Sequence, residues 1–160
     1  MTKAVDNISI EYLKKTYSYD PATGDLVHKR LNRKMENKNK NGYILYYPNS
    51  GSKLAHRAVW AIHYGKWPEG EIDHINLDRS DNRISNLRIA SRSENMANQK
   101  KHKKWAKIHS QYKGVYWNGF RSIWMARCAG KTLGYFKIEE EAKAAYDEYA
   151  KNRFGVFYHV

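Results

Sequence analysis

The segment over residues 71–99 constrains the fold most, because its hydrophobic pattern changes from a strand period to a helix period within a short stretch. The predicted order is a strand over 71–77, a polar loop over 78–83, a second strand over 84–90 and a helix that ends near residue 99. Ser91 and Glu94 match a capping box, with the serine at the N-cap and the glutamate at N3. The sequence therefore predicts a strand–loop–strand–helix unit in the middle of the chain.

The N-terminal region, up to about Gly70, is predicted to add short elements to this unit. The expected elements are a helix over 9–17, a strand over 26–29, a strand over 42–47 and a helix over 54–64. Gly65 is expected to end the last of these helices. Residues 29–41 are basic and rich in asparagine, so we expect a solvated loop that could lie against phosphates.

The C-terminal region is predicted to form a small sheet with one helix. The pattern favours strands over 114–118, 122–129 and 132–136, followed by a helix over 138–152. Alternation on the second strand turns Trp124, Ala126 and Cys128 toward the helix. The same alternation turns Met125, Arg127 and Ala129 away, together with Tyr116 and Asn118 of the first strand. We expect Trp117, Trp124 and Phe136 to pack in the core.

Charge points to the partner of this chain. Its 160 residues carry 29 Lys and Arg against 16 Asp and Glu, which gives a formal net charge of +13. Such an excess favours a polyanion, usually nucleic acid, over a merely soluble basic protein. A membrane-surface role is disfavoured because no long basic amphipathic helix is present. Residues 100–111 begin with a lysine-rich stretch that is interpreted as a basic linker.

The cysteine count and the hydrophobic pattern exclude several classes. Cys128 is the single cysteine, so neither an internal disulfide nor a cysteine-rich zinc knuckle is expected. Any metal would have oxygen or imidazole ligands. No apolar run has transmembrane length and the N-terminus is too polar for a secretory signal, so a soluble cytoplasmic protein is expected.

Four polar side chains in the central segment suggest chemistry when they are taken together. Asp73 and His74 are adjacent at the end of the first strand, where a bend would let both reach one site. Asn86 could brace the hairpin loop and orient His74, and the amide oxygen of Asn95 could join Asp73 on a hard cation. Taken singly, each residue has an ordinary structural explanation, as a surface pair or a helix-start asparagine.

The same segment resembles the HNH endonucleases of phages and mobile introns. The residues that carry the resemblance are Ile72-Asp73-His74-Ile75-Asn76, the run from Asp81 to Arg88, and Ser93-Glu94-Asn95, with upstream extensions at Tyr19 to Gly24 and His56 to Trp60. The resemblance implies a ββα-metal fold in which His74 is the general base and Asn86 positions its loop. It also implies that Asp73 and Asn95 hold one Mg²⁺ or Mn²⁺ ion. Asn95 stands where many members have histidine, and the zinc-stapled subgroup needs cysteines that this chain lacks.

Residues 112–155 resemble the AP2 DNA-binding domain. The resemblance rests on Tyr112-Lys113-Gly114-Val115-Tyr116-Trp117, Trp124 to Arg127, Leu133 to Phe136, and the helix residues Glu141-Ala142 and Ala145-Tyr146-Asp147. It implies a three-stranded antiparallel sheet backed by one helix, with the bare sheet face in the major groove. The plant domains carry more arginines on that face, so their base preference does not transfer.

The expected protein is an α+β chain with an HNH nuclease domain over 1–99 (core motif 71–99), the basic linker over 100–111 and an AP2-like domain over 112–160. The expected function is site-specific, metal-dependent cleavage of double-stranded DNA of the homing type, with one nick per catalytic unit, by a monomer on DNA without a small-molecule cofactor. The alternatives are a DNA-binding regulator with an inactive nuclease unit and an RNA-binding or structural phage protein. The residues expected to contact DNA are Arg88, Lys100, Lys101, Lys103, Lys104, Tyr116, Asn118, Arg121, Arg127 and Lys131.

Overall fold

The computed structural model describes residues 8–48, 51–99 and 110–159, and its helices and strands are mixed along the chain. The chain divides into two compact units, Met1–Ser91 and Arg92–Val160. The strands within each sheet are antiparallel. Among the described residues, no helix combines the length and the apolar character needed to cross a bilayer.

The first unit contains two helices and three small sheets. Its elements are α1 (Ile10–Thr16), β1 (Tyr17–Tyr19), β2 (Leu26–His28), β3 (Arg33–Lys34), β4 (Leu45–Tyr46), β5 (Lys53–Leu54), α2 (Ala55–Tyr64), β6 (Glu71–His74) and β7 (Leu87–Ala90). The sheets are β1-β2-β3, β4-β5 and β6-β7.

Helix α2 forms the centre of the first core. Ala55, Ala58 and Val59 are fully buried, so small side chains on α2 let neighbouring elements pack closely. The helix ends at Gly65, whose φ of 70° is the left-handed conformation that glycine adopts without strain. Arg57 projects from α2 and donates to the carbonyl of Gly70 at 3.0 Å, directly before β6. Helix α2 thus fixes the start of the hairpin β6–β7.

Several elements of this unit differ from the sequence prediction. The strand expected over 71–77 ends at His74, because Leu77 donates its N–H to the carbonyl of His74 and adopts a φ of 66°. The strand expected over 84–90 begins instead with a 3-10 turn, Ile84–Asn86. The strand expected over 42–47 is reduced to β4, and β3 lies inside the segment expected to be a loop. Side-chain hydrogen bonds and backbone turns in these polar stretches compete with extended pairing.

In the second unit, the residues that the structure describes form two helices and one three-stranded sheet. Its elements are α3 (Arg92–Asn98), β8 (Val115–Asn118), β9 (Ile123–Cys128), β10 (Lys131–Phe136) and α4 (Glu139–Phe154). The sheet has the order β8-β9-β10, and α4 packs on one of its faces. Val115, Ala126 and Ala142 are fully buried between sheet and helix. The three strands agree with the sequence prediction to within two residues.

One tryptophan departs from its expected place in this core. Trp117 is 44% exposed, and its ring lies edge-on to Trp124 with centroids 5.0 Å apart. Trp124 and Phe136 pack against the core as expected. Trp117 pairs with Trp124 across the strands on the helix-facing side of the sheet. Parity alone predicted burial, but the small core does not extend over this end of the strand.

Helix α3 belongs to the second unit and has a side-chain cap there. The ammonium group of Lys113 donates to the backbone carbonyls of Met96, Ala97 and Gln99, each at 2.7 Å. These carbonyls lie at the C-terminal end of α3, where no further helical turn can satisfy them. Burial lowers the pKa of Lys113 to about 8. The unit boundary at Ser91/Arg92 therefore lies before α3, whereas the sequence placed the nuclease domain to residue 99.

Candidate active site

The hairpin β6–β7 places Asp73 and His74 side by side in the interior of the first unit. Asp73 pairs with Arg88 across the strands, and His74 pairs with Leu87. Both side chains are buried, at 4% and 3% exposure. Buried polar side chains require partners, because burial of an unpaired polar group costs free energy. The side chains of Asp73 and His74 should therefore each have a polar partner inside the first unit.

Asp73 is held by Arg88. Its Oδ2 accepts a hydrogen bond from Nε of Arg88 at 2.8 Å and lies 2.8 Å from Nη2. The guanidinium group is itself largely buried, at 15% exposure. This cross-strand pair offsets the carboxylate charge and fixes its orientation. The guanidinium of Arg88, which the sequence predicted to contact DNA, holds Asp73 and so braces the hairpin in this structure.

His74 contacts Asn82 through one ring nitrogen. Its Nε2 lies 3.2 Å from Oδ1 of Asn82, which is 2% exposed. An amide oxygen only accepts hydrogen bonds, so this contact requires the proton on Nε2 and leaves the basic lone pair on Nδ1. Burial lowers the pKa of His74 below its usual value, more than Asn82 and the nearby carboxylates raise it. The ring is therefore neutral at pH 7, which is the state a general base needs.

Two further rings enclose His74. The ring of His56 lies nearly perpendicular to it, with centroids 5.2 Å apart, and that of Tyr43 lies 5.8 Å away. His56 is buried, and its Nδ1 has no hydrogen-bond partner among the described residues. Burial, with a contribution from His74, lowers the pKa of His56 to about 3, so the neighbouring ring adds no positive charge. The guanidinium group of Arg79 lies 5.0 Å from the centroid of Tyr43. The rings restrict the orientation of His74.

Asn86 closes the loop between the two strands. Its Oδ1 accepts from the N–H of Asn76 at 3.0 Å, and its Nδ2 donates to the carbonyl of Asp81 at 2.8 Å. The side chain of Asp81 then accepts from Nδ2 of Asn76 at 2.8 Å and pairs with Arg83. These bonds tie both ends of the loop together. Because Asn82 lies inside this loop, Asn86 acts on His74 through the loop position.

The loop is also supported from behind. The hydroxyl group of Tyr19 donates to the carbonyl of Asn82 at 2.9 Å. Gly24 is buried with a φ of 81°, and a Cβ placed on it would lie 2.6 Å from the nitrogen of Arg83 and 2.8 Å from the carbonyl carbon of Asn82. Only glycine allows this approach. The upstream motif around Tyr19 and Gly24 therefore shapes the loop that orients His74.

Asn95, which the sequence predicted to be the second metal ligand, lies on α3 in the second unit and is half-buried. The lysines expected to track phosphates fall outside the described residues; they are Lys100, Lys101, Lys103 and Lys104. Among the described residues, no group of three or more His, Cys, Asp or Glu is arranged to hold a metal ion.

The expected DNA-contacting side chains of the sheet fall on both of its faces. Tyr116 pairs with Met125 across the strands, and Arg127 shares the parity of Met125, away from α4. Arg121 lies over the ring of Tyr135 at 5.1 Å. Asn118 has the outward parity and accepts from the N–H of Arg121 through Oδ1 at 3.1 Å.

Lys131 lies on the other side. It pairs with Cys128, and its ammonium group is 5.1 Å from the ring centroid of Tyr149 on α4. It therefore lies on the helix side of the sheet, the face opposite to Arg127.

Sequence reasoning missed Asn82, Tyr43 and the contact of His56 with His74. Asn82 lies in a run of polar loop residues, where its type and spacing resemble those of an ordinary turn residue. His56 lies on an apolar helix face, where a histidine is usually a core residue, so its sequence position does not mark it as part of a site. The contact with His74 arises from tertiary packing, which one sequence does not display.

Comparisons with known proteins bear on the segment that contains these residues. Residues 53–97 match the family model described as HNH endonuclease. No curated protein matches the chain in sequence. The chain is similar to a solved structure described as "DNA binding and cleavage by the HNH homing endonuclease I-HmuI", with a TM-score of 0.48 and 24% identity. The similarity covers 63% of this chain and 64% of that chain, which is less than two thirds of its length.

Proposed function

We propose that this protein is a site-specific, metal-dependent endonuclease of the homing type that hydrolyses phosphodiester bonds in double-stranded DNA. The observation that carries the proposal is the HNH endonuclease match over residues 53–97, which contain Asp73, His74, Asn86 and Asn95. The buried His74 supports it, because its contact with Asn82 places the proton on Nε2 and the basic lone pair on Nδ1. The net charge of +13 favours a nucleic-acid substrate.

His74 is assigned as the general base. A water that attacks phosphorus must lose a proton as the new bond forms. Nδ1 of His74 accepts that proton, while Asn82 holds the Nε2 proton and keeps the tautomer fixed. His56 and Tyr43 restrict ring rotation, so little free energy is spent on orienting the base.

Asp73 and Asn95 are assigned as the protein ligands of one Mg²⁺ or Mn²⁺ ion. Their carboxylate and amide oxygens suit a hard cation that completes its shell with waters and substrate phosphate. When bound, such a cation offsets the charge that develops on the phosphate and on the leaving 3′ oxygen. Arg88 holds the Asp73 carboxylate in one orientation, which preorganises this donor before DNA binds.

The outer face of the C-terminal sheet is assigned to DNA recognition, in an AP2-like manner. Strands can enter the major groove, and Tyr116, Asn118, Arg121 and Arg127 lie on or beside the face away from α4. The basic linker would follow the phosphate backbone and contribute affinity without sequence preference. With one catalytic unit per chain, a monomer makes one nick per binding event.

The test is cleavage of supercoiled plasmid carrying random-sequence inserts, with Mg²⁺ or with EDTA. The wild type should relax or linearise the plasmid only with Mg²⁺. His74→Ala should lower the cleavage rate by at least about 100-fold, the usual contribution of a general base, and bind DNA in EDTA as the wild type does. Near-normal nicking by His74→Ala would overturn the assignment.

A matched control removes a histidine outside the site. His63 is an exposed residue at the end of α2, so His63→Ala should cut at the wild-type rate. An equal loss in both variants would point to a general effect on folding. Metal-independent DNA binding without any cleavage would favour the alternative, a DNA-binding regulator with a silent nuclease unit.

A further inference from the structure

The outer face of the C-terminal sheet carries a row of large, weakly polar side chains at its centre. Met125 on β9 pairs directly with Tyr116 on β8 and with Tyr135 on β10, so the three side chains lie side by side across the sheet. All three have the parity opposite to Ala126, which is buried under α4. Tyr116 and Tyr135 are 40% and 48% exposed. This row, Tyr116–Met125–Tyr135, is called the central row below.

Cationic side chains lie at the two ends of the face, beyond the central row. Arg121 lies in the β8–β9 turn, where its N–H donates to the carbonyl of Asn118 at 3.2 Å. Arg127 lies at the other end of β9, and its Nε is 3.4 Å from the carbonyl of Gly130 in the β9–β10 turn. The face therefore presents a cation, an apolar centre and a second cation along the strand direction.

Charge identifies the occupant of this face as a polyanion. The outward positions of the three strands carry no carboxylate; they are Tyr116, Asn118, Ile123, Met125, Arg127, Thr132 and Tyr135. Every acidic residue between 110 and 159 belongs to α4, which packs on the opposite face. The two faces of the unit thus differ in charge, and the outer face complements a phosphate backbone.

The dimensions agree with a duplex major groove. The six residues of β9 extend over about 20 Å at ~3.3 Å per residue. A major groove is about 12 Å wide, so strands that cross it place the end cations at its phosphate walls and the central row over the base edges. Phosphate contacts position a protein and base contacts specify the sequence, so the central row occupies the specifying position.

The chemistry of the central row selects one base feature. The thioether and the aromatic rings offer apolar contact, and neither provides the paired donors that distinguish guanine. Among the base edges of the major groove, the C5-methyl group of thymine is the apolar feature. We propose that the central row reads thymine methyl groups, while Arg121 and Arg127 hold phosphates at the groove walls. This inference rests on the proposed function, since it takes duplex DNA as the partner.

The experiment replaces thymine by 2′-deoxyuridine, which pairs identically but lacks the methyl group. The wild-type chain first selects bound duplexes from a randomised thymine-containing pool in EDTA. The enriched sites are then resynthesised with 2′-deoxyuridine in place of thymidine. We expect the selected sites to share a thymine-containing consensus. The deoxyuridine duplex should bind about four-fold more weakly per contacted position, which is the effect expected from the loss of one buried methyl group. The absence of any enriched sequence, or equal affinity for both duplexes, would overturn the inference.

Two variants separate base reading from phosphate contact. Met125→Ala should bind the thymine-containing duplex and the deoxyuridine-containing duplex with equal affinity. Arg127→Ala should keep the thymine preference and lower the slope of log K against log salt by about 0.9, as for one lost phosphate contact. If Arg127→Ala instead removes a guanine preference and Met125→Ala changes nothing, the arginine reads the base and the inference is wrong. Val156→Ala, an exposed apolar residue outside the sheet, is the control that should leave both measurements unchanged.

The outcome is separable from that of the proposed function. Under the proposed function, cleavage of random-insert plasmid in Mg²⁺ depends on His74. It does not require the protein to discriminate between thymidine and 2′-deoxyuridine. A protein that cuts but shows no such discrimination would overturn this inference alone. A protein that discriminates but never cuts would overturn the nuclease assignment alone.

Discussion

Asn82 determines the working tautomer of His74, and it is the residue whose replacement is most informative. Asn82→Ala removes the acceptor at Nε2, so the imidazole can carry its proton on either nitrogen and can rotate. We expect the cleavage rate to fall by about 10–100-fold, as is typical when an orienting partner of a functional histidine is removed. The loss of a buried hydrogen bond should also lower the free energy of unfolding by about 1–3 kcal/mol.

The matched control for Asn82 is another asparagine of the same loop. Asn76 is exposed, and its side chain contacts Asp81 but lies outside the contact with His74. Asn76→Ala should therefore retain most of the activity. Single-turnover cleavage with saturating protein in excess over DNA, combined with urea unfolding, separates the effect on rate from the effect on stability. Equal rates for the two variants would remove Asn82 from the mechanism.

His56 makes stability depend on pH in a defined direction. Its pKa is lowered by burial from about 6.5 to about 3, so below pH 6.5 the unfolded chain binds a proton that the folded chain does not. The free energy of unfolding should therefore fall as the pH falls from 6.5 toward 3, by up to about 1.4 kcal/mol per pH unit for this group. Urea unfolding of the wild type and of His56→Phe, which keeps a ring without a titration, measures the difference. Equal slopes for the two proteins would contradict it.

For single residues, the sequence indicated which polar side chains to consider, but it did not indicate which side chains they contact. Asp73 and His74 were singled out as an adjacent polar pair at a strand end, and both side chains are buried. The pairing of Asp73 with Arg88 and of His74 with Asn82 depends on the register of the hairpin and on the 3-10 turn before β7. Neither the register nor the turn follows from composition or from period. The roles of the four signature residues stay predictions until cleavage is measured.

At the scale of elements, Gly24 links the N-terminal turn to the loop that holds Asn82. A methyl group at Gly24 would collide with the backbone of Asn82 and Arg83, so Gly24→Ala must displace that loop. Gly42 also has a positive φ, of 86°, but nothing lies within 4 Å of its added Cβ. We expect Gly42→Ala to cost about 1 kcal/mol of backbone strain and keep its cleavage rate. Gly24→Ala should lose stability and activity together.

The comparison between these two glycine variants is read by thermal unfolding and by plasmid cleavage under identical conditions. Both variants carry the same strain in the left-handed region, so the difference between them isolates the collision with the loop. A Gly24→Ala protein that cuts at the rate of Gly42→Ala would show that the loop tolerates displacement.

Elements with a strong hydrophobic period were predicted well. Helices α1 and α2 and strands β8, β9 and β10 match the predicted segments closely, because burial of one face determines their period. The polar stretches were predicted poorly. In the turn before β7, backbone structure is decided by hydrogen bonds from side chains to loop carbonyls, one of them from the distant Tyr19. Such contacts leave no periodic signal.

At the scale of the whole molecule, the lysine-rich linker should contribute affinity through counterion release. Replacement of Lys100, Lys101, Lys103 and Lys104 by alanine removes up to four phosphate contacts. The slope of log K against log salt should then decrease by up to about 3.6, since each neutralised phosphate adds about 0.9. Titration of a labelled duplex at several salt concentrations measures the slope. An unchanged slope would mean that the linker lies away from DNA. The control is a variant in which four exposed lysines outside the linker are replaced by alanine; they are Lys14, Lys15, Lys66 and Lys151.

The position of Lys113 limits where the C-terminal part of this chain can be exchanged for that of a related protein. It closes the end of α3 from within the C-terminal unit, and α3 carries Asn95, a proposed metal ligand. An exchange of C-terminal parts at a junction after Gln99 would leave three helix carbonyls without the ammonium that satisfies them. A junction between Ser91 and Arg92 keeps helix and cap together. Chimeras that borrow a new recognition part should therefore inherit the donor's α3 with it, and with α3 one of the two proposed metal ligands.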